Sequence, residues 1–171
     1  SRMRTVLGGL DPGRNGTEPL DPAYPSGKRL ADLAGLSGEE FLARFDRVNL
    51  HPERGRPVRE DGPSAANLLP VLRGRRVVAL GRRVSDALGV GEGRSVWAEG
   101  VTWSITPGGF VGATLPHPSG LSRWWNLPAN VASAGRFMRS VLRPCVHVEG
   151  VEQIRSRWDV RGTGDRHRCP T

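Results

Sequence analysis

The sequence predicts an α/β layer fold with a mainly parallel sheet. Short apolar runs of strand length occur at Arg4–Leu10, Arg47–Leu50, Arg76–Gly81, Val101–Thr106 and Phe110–Leu115. Helix-patterned stretches separate most of them, the alternation that builds crossover units between parallel strands. The chain has 171 residues, the length of one domain and enough to bury a substantial core.

Taken in order, Arg4–Leu10 is a buried first strand. Asp11–Gly27 is rich in Gly, Pro and Asp, which predicts a long functional loop. Lys28–Ala34 is a short helix stopped by Gly35. Ser37 with Glu40 forms a capping box that opens a helix reaching about Phe45, with Leu36, Phe41, Leu42 and Phe45 on its apolar face. Arg47–Leu50 is a short strand ended by His51-Pro52. Glu53–Ser64 is charged and Pro/Gly-rich, an expected exposed loop, and Ala65–Leu72 is a helix weakened by Pro70. Arg76–Gly81 is the clearest parallel-type strand, followed by a helix over Arg82–Leu88. Val101–Thr106 and Phe110–Leu115 are strands joined by the turn Pro107-Gly108-Gly109. Trp125–Leu142 is the longest helix, with Pro128 tolerated in its first turn. The domain is expected to span residues 1–150, followed by a polar, Arg-rich tail over 151–171. No segment repeats.

The chain carries 25 basic and 17 acidic residues, a net +8, and every basic residue but Lys28 is arginine. Arginine binds phosphate bidentately and stacks on flat rings, so the bias fits a polyanionic partner. A GC-rich genome explains the Arg/Lys ratio equally well, and the net charge less well. Cys145 and Cys169 form no metal-ligand spacing, so no metal or iron–sulfur site is expected, and a disulfide between them stays open. No apolar run approaches membrane-spanning length and no signal pattern opens the chain. The expectation is a cytoplasmic monomer with no membrane partner and no cofactor.

Two motifs carry the chemistry. Gly9-Leu10-Asp11-Pro12-Gly13 follows the first strand, and Leu115-Pro116-His117-Pro118-Ser119-Gly120-Leu121-Ser122-Arg123 follows the last. In parallel sheets the site lies at the carboxyl ends of the strands, where both motifs fall. Asp11 can orient a water and stabilise positive charge on a sugar, or simply make an Asp-Pro-Gly turn. His117, stiffened by Pro116 and Pro118, can donate to a developing anion, or be a surface histidine in a rigid turn. Ser119 and Gly120 can bind a phosphate through hydroxyl and backbone N–H. Leu121 can act as a wedge between bases or as a staple for the next helix. Arg123 can clamp a phosphate. Trp124 and Trp125 can stack on DNA or fill the core. Asn49 can read a base edge or cap a turn. Tyr24, the only tyrosine, can stack on a base or cover the core edge. Gly81-Arg82-Arg83 at a helix start is a modest anion site. Gly89-Val90-Gly91-Glu92-Gly93 follows a helix rather than a strand, which rules out a dinucleotide fingerprint.

In these motifs the chain resembles the uracil-DNA glycosylase superfamily. Gly9–Gly13 resembles its first motif and Leu115–Arg123 its second, closely so for the mismatch-specific branch. Val48-Asn49-Leu50 is similar to its base-reading strand, Tyr24 with Gly27 to its stacking aromatic, and Val77–Gly81 to its central strand. The likeness spans about residues 4–143. It implies a three-layer α/β/α sandwich around a four-stranded, mainly parallel sheet. It also implies hydrolysis of an N-glycosidic bond in DNA, single- or double-stranded, to leave an abasic site, without metal or cofactor. The base must leave the stack to be reached. Asp11 would activate water and steady the sugar cation, and His117 would hydrogen-bond the departing base. Leu10, Gly13, Tyr24 and Asn49 would surround that base. Ser119, Gly120, Leu121, Ser122 and Arg123 would hold the DNA.

Two departures narrow the expectation. The iron–sulfur branches use four cysteines and this chain has two. Strict uracil enzymes carry tyrosine where Gly13 stands, and glycine opens that wall to pyrimidines enlarged at the 5-position, including modified bases of phage DNA. The rival readings are a non-catalytic base reader on the same fold and a hydrolase or transferase of free nucleotides or modified bases, in a bacterial cell or encoded by a phage. Leu121 and Arg123 favour a polymer.

Overall fold

The structure, a computed structural model, describes residues 4–14, 18–91, 103–119 and 121–142. Strands β1 (Thr5–Gly9), β2 (Phe45–Asn49), β3 (Arg76–Leu80), β4 (Ser104–Ile105) and β5 (Val111–Leu115) form one sheet in the order β2-β1-β3-β5-β4. The first four in that order run parallel. The sheet therefore has five strands rather than the expected four. Its extra member is the two-residue β4, which pairs antiparallel with the edge of β5 across the turn at Pro107–Gly109. Of the strand expected over Val101–Thr106, residues 101 and 102 lie outside the described residues.

Both faces of the sheet are buried, which is why its strands read as unbroken apolar runs. Leu7, Val78, Leu80, Ala113 and Leu115 point into one cluster with Leu30, Phe41 and Met138. Val6, Val77 and Ala79 point the other way, onto Leu72, Val84 and Leu88. Helices α1 (Pro25–Ala34), α2 (Gly38–Arg44) and α5 (Pro128–Val141) cover the first face, while α3 (Asp61–Leu72) and α4 (Arg82–Leu88) cover the second. The result is an α/β fold with helices on both sides of a mixed sheet.

The local signals act as their chemistry requires. Ser37 and Glu40 form the capping box of α2, and Gly35 ends α1 at φ 70°. Pro128 opens α5 at its first position, so the helix starts later than Trp125. Residues Arg123–Asn126 form a separate 3-10 turn. Helix α1 begins at Pro25, earlier than Lys28, and α2 runs straight into β2 at Phe45.

The largest departure is α3. Asp61–Ser64 is helix, not loop. Pro63 sits in the first turn, where no backbone N–H is needed, so proline costs nothing there. Cys145, Cys169 and the tail over 151–171 lie outside the described residues, as do Glu92 and Gly93 of the glycine-rich run.

Candidate active site

The carboxyl edge of the parallel strands brings the two motifs together. In sheet order it carries Asn49 at the end of β2, Asp11 two residues past β1, Gly81 after β3 and His117 two residues past β5. Each sits where its strand stops and its backbone must turn.

His117 is held at three points. Ser119 N–H donates to its Nδ1 at 3.1 Å. Nδ1 is therefore a lone pair, and the proton of the neutral ring sits on Nε2. Trp125 Nε1–H donates to the His117 carbonyl at 2.8 Å. Trp125 is buried, with Trp124 edge-on at 4.7 Å and the Arg29 guanidinium 5.2 Å above its ring. Gly81 supplies the last constraint. Its φ is +90° and a Cβ there would lie 3.4 Å from the His117 Cβ, so glycine suits both the turn and the close approach. Burial pushes the His117 pKa below the ordinary 6.5, while the Asp11 charge pulls it back up.

Asp11 is partly buried, and Gly55 N–H donates to its Oδ2 at 3.1 Å. Its charge acts on His117 and on Arg83, favouring the charged form of both. Asn49 pairs in register with Gly9, and a Cβ on Gly9 would lie 3.0 Å from Asn49 Oδ1. The bare glycine makes room for the amide. Asn49 opens onto a hollow of about 440 Å³ walled by Pro12, Pro19, Ser64, Asn67 and Leu68. Neither Asp11 nor His117 is among the residues that line this hollow.

Other expected site residues fall differently. Tyr24 does not line this hollow. Residues 21–24 form a turn, with Ala23 N–H on Asp21 Oδ1 at 2.8 Å and Tyr24 N–H on the Asp21 carbonyl at 3.0 Å. Gly27 pins that turn, since a Cβ there would lie 2.3 Å from the Leu20 and Asp21 carbonyl oxygens. Tyr24 consequently becomes the residue before α1 and lines a separate groove of about 670 Å³ between α1 and α5. The apolar side chain near Gly9 is Leu20, at φ 49°. Leu10 packs its side chain on the core and gives its carbonyl to His51 N–H at 2.8 Å, so the fold uses both. Gly13 is exposed, and a side chain there would meet open space.

On the second loop, Leu121 is 94% exposed and touches nothing that would make it a staple. Arg123 is exposed and forms no ion pair among the described residues. Ser122 N–H closes a turn on the Ser119 carbonyl at 3.4 Å. Gly120 lies outside the described residues.

Sequence reasoning missed a buried cluster beside Asp11. Arg83 donates to both Asp61 oxygens, at 2.7 and 2.8 Å, and to the Arg56 carbonyl at 2.5 Å. His51 Nε2 meets Asp61 Oδ1 at 2.6 Å, and Ser64 Oγ meets His51 Nδ1 at 2.9 Å. The Arg83 guanidinium holds the Asp61 carboxyl below the ordinary 3.8, burial opposes this, and His51 assists. Asp61 in turn raises Arg83. Of the two arginines at the start of α4, Arg83 is thus engaged within the fold. Arg83 is already bonded and Arg82 lies 3.7 Å from Asp86. The only local signal for the cluster was His51 closing a strand before proline.

Among the described residues, no cluster of three His, Cys, Asp or Glu could hold a metal ion, and no helix is long and apolar enough to cross a membrane. No protein-family model matches the chain, and no curated protein matches it.

Proposed function

We propose that this protein is a monofunctional DNA glycosylase that hydrolyses the N-glycosidic bond of a flipped-out uracil-like or 5-modified pyrimidine and leaves an abasic site. The observation that supports the reading is that Asp11 and His117 stand together at the carboxyl edge of the parallel strands, two residues past β1 and β5, with the His117 proton held on Nε2.

In this reading the C1′–N1 bond breaks and its electron pair stays on the base. His117 Nε2–H donates to the base carbonyl as that negative charge grows. Gly55 holds one Asp11 oxygen, leaving the other to orient a water and face the cationic sugar. The water oxygen bonds C1′ and its proton passes to Asp11 and then to solvent. The released base takes up a proton from solvent. Asn49 reads the base edge through its paired donor and acceptor. Leu121 fills the space left in the strand, and Arg123 binds a backbone phosphate. Exposed Arg14, Arg54 and Arg59 on the loops after β1 and β2 add positive charge along the same edge.

The test is base release, read by mass spectrometry, from oligonucleotides carrying uracil, thymine or 5-hydroxymethyluracil. Asp11→Asn and His117→Ala should each lower release by about 10²–10³-fold. DNA affinity that survives both changes, with no release by the unaltered protein, would instead identify a base reader.

A further inference from the structure

Beyond the two motif residues, we propose that Arg83 is a positioning residue for Asp11 and acts on it through the backbone of the loop after β2. Arg83 holds the Arg56 carbonyl, and the neighbouring Gly55 N–H holds one oxygen of the Asp11 carboxylate. What the positioned carboxylate does rests on the glycosylase reading. How it is positioned follows from the contacts alone.

A carboxylate does not orient itself. The torsion that turns it is broad and roughly two-fold, so an unheld Asp11 would present either oxygen to a water. Among the described residues its one hydrogen bond is the Gly55 N–H on Oδ2, at 3.1 Å. Gly55 is a poor anchor by itself. It is exposed, its φ is +79°, and no atom lies within 4 Å of the place a Cβ would take. Glycine reaches that left-handed conformation without strain, but nothing around it keeps a loop amide in place. Arg83 supplies the hold. Its Nη2 donates to the Arg56 carbonyl at 2.5 Å, one residue past Gly55. Arg83 is itself fixed, because Nε and Nη2 also donate to the two oxygens of the buried Asp61 at 2.7 and 2.8 Å.

Sheet order explains why this tie falls on Asp11. Strand β1 lies between β2 and β3. The loop after β2 carries Gly55 and Arg56, and the helix after β3 carries Arg83. Their bond links the two neighbours of the strand that leads to Asp11. The Arg56 side chain also meets Glu53 at 2.5 Å and Glu60 at 3.4 Å. Those partners are partly exposed and close in sequence, so they tie the loop to no other strand. The Asp11 charge favours the charged form of Arg83, which puts guanidinium and carboxylate within electrostatic reach. Lysine would keep that attraction. Its single ammonium lacks the fork that grips Asp61 with two nitrogens and still reaches a carbonyl. Charge and grip are therefore separable.

The experiment reads the held oxygen directly. Backbone amide resonances of the unaltered protein, Asp11→Asn and Arg83→Lys are followed by NMR through the acid range. The Gly55 N–H should shift as a carboxyl titrates in the unaltered protein. That shift should vanish in Asp11→Asn and shrink strongly in Arg83→Lys, which keeps the charge and loses the grip. A Gly55 resonance that ignores pH in the unaltered protein overturns the inference with no variant needed. One that titrates fully in either variant overturns it as well. Asp61→Asn loosens the same grip from its other end and repeats the reading if Arg83→Lys does not fold. Base release gives the second readout, from oligonucleotides carrying uracil, thymine or 5-hydroxymethyluracil. Arg83→Lys should lower kcat on the order of tenfold with KM little changed, and should cost nothing further when added to Asp11→Asn. Losses that simply add overturn the positioning role. If the Gly55 shift depends on Arg83 but the unaltered protein releases no base, the glycosylase reading falls and the hold on the carboxylate stands.

Discussion

The two ends of the sheet are built from the same residue types and do opposite things with them. At the amino end, Asp46 on β2 binds Arg75 and sits 3.8 Å from Arg4. Arg75 also donates to the Arg4 carbonyl at 2.9 Å. These arginines tie strand to strand. At the carboxyl end Arg83 is bonded to the buried Asp61, and Arg56 to Glu53 and Glu60. Arg14, Arg54 and Arg123 are exposed there without ion pairs among the described residues. Among the described residues, Asp11 bonds only a backbone N–H and the His117 Nε2 proton has no partner. Charge at one end is satisfied by the chain itself, and at the other several arginines and the two motif side chains are left to face a ligand. An arginine count alone cannot tell the two apart.

The sharpest way to break this contrast is to remove the buried carboxylate. Asp61→Ala strands Arg83 and His51 together and should destabilise the fold by about 3 kcal/mol, read by urea denaturation. Asp46→Ala at the amino end removes a half-exposed partner and should cost under about 1 kcal/mol.

Gly81→Ala is expected to act on both stability and turnover. It forces an L side chain to φ +90° beside His117, at a cost of about 1–2 kcal/mol. Base release should fall further than stability explains, because the imidazole moves. Comparing folded fractions with single-turnover rates separates the two effects.

The pH dependence has two limbs with a definite sign. The folded pKa of Asp61 is depressed, so its stabilisation is present above 3.8 and is lost as pH falls through the lower folded value. The folded pKa of His117 is also depressed, so the unfolded chain binds that proton first. Stability then declines as pH drops from 6.5 toward the folded value. Protonating Nδ1 would also break the Ser119 bond, so release should hold at pH 6.5 and fall below it. A rate profile whose acid limb lies above 6.5 would contradict the burial of His117.

The smallest effect concerns the open arginines. Arg123→Ala should weaken DNA binding similarly for all sequences and lower the slope of log affinity against log salt by about one. Arg75→Ala should leave that slope alone, since its charge is engaged within the fold.

Much of the site was legible in the chain. Asp11 and His117 follow apolar strands and sit among Pro and Gly, so their place at the strand ends was readable from neighbours alone. The capping box at Ser37 and the Pro128 start of α5 were legible for the same reason. Asp61 was hidden, because Gly62 and Pro63 look like loop residues until the Arg83 contact shows that the helix starts there. Tyr24 had the right spacing for a stacking aromatic, but the Asp21 turn and the bare Cα of Gly27 send it to the other groove.

What the amino-acid order determined by itself is the succession of strands and helices, the two catalytic candidates and the excess of positive charge. These depend on hydrophobic period, turn chemistry and composition, which are local. Only the tertiary structure decided which charges are neutralised, which groove Tyr24 lines and what stands against His117. Those depend on contacts between residues far apart in the chain, 71 positions in the case of Arg4 and Arg75. Partners at that distance are chosen by packing, and no neighbour in the sequence announces them.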